Sequence, residues 1–157
     1  NNTFTGKSKK ELIKNWNFEF NEFANILKMK NANIIINLPN PEFPQALLKQ
    51  CHGQNLQWFN KLNKKNCSYP KEFFTSKEGK FRNVLNQLRE IDAKNSNVYL
   101  LDTISALCPN NKCNYSLEGE SLYRDDDHIS IYTSKNIIAP KLIKLIEEIK
   151  SENSSST

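Results

Sequence analysis

Apolar residues recur every three or four positions in residues 8–30, which is the spacing of an amphipathic helix. Ser8 precedes this stretch as a candidate N-cap, and Glu11, three residues later, would complete a capping box. One stripe is expected to face the core, with its tryptophan buried there rather than stacked on a ligand. The stripe consists of Leu12, Trp16, Phe20, Phe23 and Leu27.

Two short apolar runs, 33–38 and 97–102, have the nearly continuous pattern of strands that are covered on both faces. Prolines follow the first run and predict an irregular loop, after which residues 45–51 form a helical turn or two. A second helix is predicted over 78–93. Its inward stripe consists of Phe81, Val84, Leu85, Leu88 and Ile91.

Shorter elements are predicted beyond the second strand. A helical turn over 103–107 leads to a polar ring between two cysteines, and a small hairpin joins 115–117 to 121–123. Ser130 is expected to cap a helix that Pro140 breaks, so that a longer amphipathic helix starts there. This last helix turns Leu142, Leu145, Ile146 and Ile149 inward.

The order helix, strand, helix, strand, helix predicts an α/β fold with parallel strands and right-handed crossovers. A doubly wound domain normally has about five or six strands, whereas two or three are visible here, so the sheet is expected to be incomplete. At 157 residues the chain has the length of one domain. We assign residues 1–150 to it and the low-complexity segment 151–157 to a disordered tail.

The net charge of +5 comes almost wholly from lysine, because arginine occurs only at positions 82, 89 and 124. The lysines are scattered rather than concentrated with aromatic residues on one face, which argues against a nucleic-acid partner. No apolar run approaches the length of a membrane span. The polar N-terminus shows no signal peptide, so the chain is either cytosolic or has its targeting segment outside this sequence.

The four cysteines can pair in three ways, and the sequential pairing of Cys51 with Cys67 and of Cys108 with Cys113 is the simplest. Cys108 and Cys113 bound a short ring containing proline and asparagine. Zinc ligation is a weaker alternative because neither pair has the short spacing of zinc knuckles, although His52 adjoins Cys51. A third possibility is that all four cysteines are reduced thiols. Disulfides would indicate an oxidising compartment.

The segment 123–130 contains one of the two histidines, His128, three residues after Asp125. In hydrolases an aspartate can accept from Nδ1 of the imidazole and leave Nε2 free to take a proton from a hydroxyl nucleophile. The alternative is a solvated acidic turn. Asp126 and Asp127 are expected to face solvent or cap the following turn. Three consecutive carboxylates point in different directions, which disfavours a shared cation.

These features, taken in chain order, resemble the C-terminal part of SGNH hydrolase domains of the extracytoplasmic kind fused to membrane acyltransferase-3 proteins. That family has a Cys-Pro-x₃-Cys element followed by Leu-Tyr-x-Asp-x-x-His-Leu-Ser. The corresponding segments here are 108–113 and 122–130, with Ile129 in place of leucine. The resemblance implies a three-layer sandwich of the SGNH, or flavodoxin-like, type around a parallel sheet.

The resemblance also implies that Asp125 and His128 are catalytic and that the domain transfers or hydrolyses O-acyl esters, chiefly acetyl, on surface polysaccharide. The nucleophilic serine of the family lies in a Gly-Asp-Ser segment, which does not occur in this sequence. This chain alone is therefore expected to be inactive. An acyl donor, a glycan acceptor and a membrane acyltransferase tether are implied as partners, with no metal or cofactor. The alternative is a non-catalytic α/β module that binds glycan or protein.

Overall fold

The computed structural model describes residues 8–44, 67–76, 81–118 and 120–154. The helices in these ranges are α1 (Lys9–Met29), α2 (Glu72–Thr75), α3 (Arg82–Lys94), α4 (Thr103–Leu107), α5 (Ile131–Thr133) and α6 (Ala139–Ser154). The strands are β1 (Ile34–Asn37), β2 (Ser68–Pro70), β3 (Val98–Leu101), β4 (Lys112–Asn114), β5 (Ser116–Leu117) and β6 (Glu120–Ser121). The chain divides into two compact units, Asn1–Ile36 with Asn83–Leu100 and Asn37–Arg82 with Leu101–Thr157.

Helix α1 begins with the predicted capping box, in which the side chains of Ser8 and Glu11 each accept from the backbone N–H of the other. The predicted core stripe was wrong in part, because Trp16 is 44% exposed. The helix is rotated so that Ala24 has no exposed surface. The reason is a close approach of the backbone: the side-chain amide of Asn97 donates to the carbonyl of Ala24 at 2.9 Å, which only a small residue permits. Leu12 and Phe23 are also half exposed.

Helix α3 buries the expected face, since Leu85, Leu88 and Ile91 lie in the core. Val84, also predicted to point inward, is instead 45% exposed. The core of this unit is formed by Ala24, Ile91 and Val98, against which Phe20, Ile34 and Ile36 pack.

Strands β1 and β3 are hydrogen-bonded neighbours. The N–H of Ile34 donates to Asn97 and the N–H of Leu38 donates to Leu101. Partner numbers rise together along both chains, so the pair is parallel, as predicted. The three isoleucines of β1 are only half buried, in contrast to the predicted coverage of both faces. The α/β class is confirmed, and two parallel strands in the described ranges agree with an incomplete sheet.

The second unit contains an aromatic cluster around Phe43, in the loop after β1. Its ring makes edge contacts with Phe74, Tyr115 and Tyr123 at centroid distances of 5.9, 5.6 and 4.9 Å. Tyr115 and Tyr123 stack on one another. Such contacts between buried rings favour a fixed geometry. The cluster therefore provides a rigid base for the segment that begins at Tyr123.

Strand β2 pairs antiparallel with β4, so that Tyr69 lies opposite Cys113. No pattern in the amino-acid sequence predicted this pair of strands. Cys113 forms the predicted disulfide with Cys108, and both residues are buried. Cys67 is disulfide-bonded as well. Its expected partner, Cys51, lies outside the described residues, as do His52 and the helical turn predicted over 45–51.

Ser130 caps the C-terminal helical segment by accepting from the N–H of Thr133, as predicted. Pro140 does not break this segment. A π-helical turn, Ser134–Ile138, precedes it, and the wider turn places Pro140 in the first turn of α6, where a missing N–H costs little. Helix α6 buries Ile149 and continues to Ser154, so residues 151–154 are helical rather than part of a disordered tail.

Among the described helices, none combines the length and the apolar character that a membrane crossing requires.

Candidate functional site

The acidic segment is held as a closed loop between two antiparallel positions, Tyr123 and Ile129. Inside the loop, the N–H of Arg124 donates to the carbonyl of His128 at 2.8 Å. Tyr123 anchors one end because its ring is buried in the aromatic cluster. Burial raises the pKa of the Tyr123 phenol far above its ordinary value, so this group stays neutral. The loop thus stands on an uncharged, well-packed base.

Hydrogen bonds on the far side of the loop fix its exit. Ser130 donates from its N–H to the carbonyl of Leu122 and from its hydroxyl to the carbonyl of Ser121. The fully buried hydroxyl of Thr133 donates to Leu122 as well, at 2.8 Å. Ser130 therefore caps the following helix, as predicted, and also holds the end of the loop in place. Its hydroxyl already donates a hydrogen bond to the carbonyl of Ser121.

The loop after β1 contacts the acidic segment directly, because the N–H of Phe43 donates to the carbonyl of Asp126 at 2.8 Å. Ligand sites of open α/β sheets lie beyond the carboxyl ends of the strands, and Phe43 follows β1 at that end.

Asp125 organises the turn through its own side chain. Its Oδ1 accepts from the backbone N–H of His128 at 2.8 Å and from that of Asp127 at 3.3 Å. Aspartate side chains commonly close turns in this way, by accepting from backbone donors two or three residues ahead. The spacing of three residues is therefore sufficient to bring the carboxylate to the histidine, and local chain geometry does this without help from other elements.

The same carboxylate reaches the imidazole ring. Nδ1 of His128 lies 2.9 Å from Oδ1 and 3.0 Å from Oδ2 of Asp125, which confirms the predicted direct contact. A carboxylate at Nδ1 favours the tautomer that carries its proton there, so Nε2 is left as the acceptor. The side chain of His128 is 72% exposed, which makes it accessible to a reactant.

The charges of the site favour the ion pair. Hydrogen bonding to Asp125, followed by the charges of Asp125 and Asp127, raises the pKa of His128, while Arg124 opposes this weakly. The pKa of Asp125 is lowered to about 2, first by the hydrogen bond from the backbone N–H of His128. Asp125 is therefore ionised at any pH at which the histidine titrates, as an orienting carboxylate must be.

Asp127 does not simply face solvent as the sequence suggested. Its Oδ1 lies 2.8 Å from Nδ1 of His128, so two carboxylates meet at one ring nitrogen. Asp126 differs from both neighbours, because among the described residues its side chain makes no hydrogen bond or ion pair and only its backbone carbonyl is used.

Asp125, Asp127 and His128 also form a group of possible metal ligands in the described part of the chain, with ligand atoms within 4.8 Å of one another. Both carboxylates lie at Nδ1 of His128. If this nitrogen carries a proton, it has no lone pair for a metal.

A second polar cluster lies in the same unit and was missed at the sequence level. Nζ of Lys71 donates to the hydroxyl of Ser105 at 2.8 Å, and this hydroxyl donates to Asp102 at 2.5 Å. A shallow groove of about 420 Å³ adjoins Lys71. Lys71 and Ser105 are 34 residues apart, so no local sequence pattern could reveal the contact. Asp102 also caps α4, which gives the cluster a structural role.

Comparison with known proteins identifies the family. The family model "SGNH domain (fused to AT3 domains)" matches residues 2–140, which is most of the chain. No curated protein and no solved structure matched. The match covers the parallel pair, the disulfide ring and the Asp125–His128 loop. The chain therefore belongs to the family of SGNH domains that are fused to AT3 domains.

Proposed function

We propose that this domain transfers or hydrolyses O-acyl esters, chiefly acetyl, on a surface polysaccharide, with His128 as general base and Asp125 as its orienting carboxylate. The family supports a hydrolase-like, acyl-ester chemistry in the context of a membrane acyltransferase. The observation that carries the proposal is the contact of 2.9 Å between Asp125 and Nδ1 of His128, which leaves an accessible Nε2.

The nucleophile in this proposal is a serine hydroxyl from a Gly-Asp-Ser segment outside this sequence. Its oxygen attacks the acyl carbonyl while Nε2 of His128 takes its proton, and collapse of the tetrahedral intermediate expels the donor's alcohol, which regains that proton. A sugar hydroxyl or water then attacks the acyl-enzyme and gives its proton to Nε2, and the serine oxygen leaves and takes that proton back. Asp125 stabilises the imidazolium that forms in each half-reaction.

We place the domain on the outer face of the cell membrane, tethered through the fused acyltransferase. The Cys108–Cys113 disulfide supports this location, because disulfides persist in oxidising compartments. The side chain of His128 is exposed, so the proposed glycan acceptor can reach it from solvent.

The test uses the full-length gene product with an aryl acetate and with an acetylated polysaccharide. His128→Ala is expected to lower kcat/KM by about 10²- to 10⁴-fold, the usual contribution of a general base. The melting temperature should stay nearly unchanged, because the side chain is exposed and packs little. His52→Ala, at the other histidine, is the matched control. Full activity in His128→Ala would overturn the proposal.

The absence of Gly-Asp-Ser from the sequence favours a second candidate, a glycan-binding module without catalysis. The same preparation discriminates the two. A module would retain the polysaccharide with equal affinity in wild type and His128→Ala and would release no acetate in either.

A further inference from the structure

We propose that Asp127 is a second positioning carboxylate for His128, which shares the Nδ1 side of the ring with Asp125 and takes over the Nδ1 proton when Asp125 is lost. This inference rests on the proposed function, since it concerns the same base. It assigns a role to a residue that the resemblance leaves without one.

Nδ1 of His128 lies close to the carboxylates of both Asp125 and Asp127. Three carboxylate oxygens lie within hydrogen-bond range of Nδ1: two from Asp125 at 2.9 and 3.0 Å and one from Asp127 at 2.8 Å. In the tautomer that is protonated at Nδ1 the ring has a single hydrogen, which bonds to Asp125, whereas Asp127 affects the ring through its charge. Asp127 therefore acts as a neighbouring charge in the native loop, at a distance from which a small rotation of the ring would make it the acceptor.

The carboxylates of Asp125 and Asp127 make different hydrogen bonds. Oδ1 of Asp125 already accepts from the backbone N–H groups of His128 and Asp127, so Asp125 both closes the turn and holds the ring. The carboxylate of Asp127 contacts Nδ1 of His128 and also interacts with the carboxylate of Asp125. The backbone N–H groups that close the turn bond to Asp125, so removal of the Asp127 carboxylate should leave these hydrogen bonds in place.

Electrostatics agrees with this role. Two carboxylates beside one ring repel each other while the imidazole is neutral, and the imidazolium relieves this repulsion. Asp125 and Asp127 both raise the pKa of His128, and Arg124 is the charged group that opposes them. The Tyr115 phenol faces the site from the aromatic cluster and is affected by the charge of Asp125. A base that becomes protonated in each half-reaction gains from the second negative charge.

The first experiment needs no catalysis. The imidazole of His128 is titrated by nuclear magnetic resonance in this chain and in Asp125→Asn, Asp127→Asn and the double variant. Asp127→Asn should lower the pKa of His128 without changing the melting temperature. Asp126→Asn is the matched control, because it removes the same charge one residue away, and it should leave the titration nearly unchanged.

The tautomer of the neutral ring provides a second readout. Nδ1 should keep its proton in wild type and in Asp125→Asn, where Asp127 accepts it, and should lose it in the double variant. In the full-length protein, Asp125→Asn should then reduce kcat/KM far less than the double variant does, which is a non-additive effect.

Equal titration curves for Asp127→Asn and Asp126→Asn would overturn this inference, as would release of the Nδ1 proton in Asp125→Asn alone. Either result leaves the role of His128 untouched. Conversely, full activity in His128→Ala would remove the proposed function while the titration and tautomer results stayed valid. The failures of the two proposals are therefore distinguishable.

Discussion

The groups that contact the imidazole of His128 belong to residues within three positions of it in the chain. The carboxylate of Asp125 accepts hydrogen bonds from two backbone N–H groups and from the imidazole, and these bonds lower its pKa to about 2. Because the folded state prefers the ionised form, the corresponding stability is present above about pH 4, the ordinary pKa of aspartate, and is lost as the pH falls through about 2. The loop is therefore expected to retain its shape throughout the neutral range.

Under the proposed function, the raised pKa of His128 predicts how the activity of the full-length protein depends on pH. A general base must be neutral, so kcat/KM should rise with pH along a limb centred above the ordinary histidine value of about 6.5. Asp127→Asn should move this limb to lower pH, because one of the charges that favour the imidazolium is removed. A pH–rate profile for both proteins checks this, and a limb in wild type below that of the variant would contradict it.

At the scale of elements, helix α3 offers a test of which face the fold buries. Leu85→Ala should reduce the free energy of unfolding by about 2–5 kcal/mol, since it empties a buried position in the core. Val84→Ala, at a neighbouring side chain that is 45% exposed, should cost clearly less. Urea unfolding measures both. Similar losses at the two positions would show that the helix is rotated from the orientation described.

The disulfide ring between β4 and α4 is a second element that can be tested alone. Non-reducing peptide mapping should recover Cys108 linked to Cys113. Replacing both by serine should cost roughly 2 kcal/mol on the chain-entropy account of so short a loop. Stoichiometric zinc, or four free thiols after purification from an oxidising compartment, would contradict the pairing.

At the scale of the whole molecule, a base without its nucleophile should not react. Because Gly-Asp-Ser is absent from the sequence, this 157-residue chain should neither hydrolyse aryl acetates nor react with a serine-directed fluorophosphonate. A protein extended by a Gly-Asp-Ser segment should do both. Stoichiometric labelling of the short chain, located by mass spectrometry, would reveal a nucleophile of its own, and Ser105 beside Lys71 would then be the first position to examine.

The features that the sequence by itself determined depend on contacts between residues close in the chain. The capping box of Ser8, the disulfide ring, the Ser130 cap and the contact of Asp125 with His128 all span five residues or fewer. Chain geometry alone brings such partners together, so residue type and spacing were sufficient to predict them. Helix and strand positions followed from periodicity for the same reason.

Tertiary structure decided the rest. In α1 the buried face includes Ala24 and not Trp16, and the side-chain amide of Asn97, 73 positions further along the chain, donates to the carbonyl of Ala24. The pairing of β2 with β4 joins segments more than forty residues apart, which periodicity cannot detect. Likewise, positions 125–127 are three consecutive aspartates, which residue type alone does not distinguish. Spacing predicted the contact of Asp125 with the imidazole but not that of Asp127, whose carboxylate meets Nδ1 only in the folded loop. The ends of that loop are held by the buried ring of Tyr123 and by the hydrogen bonds of Ser130, which are contacts that a local pattern does not reveal.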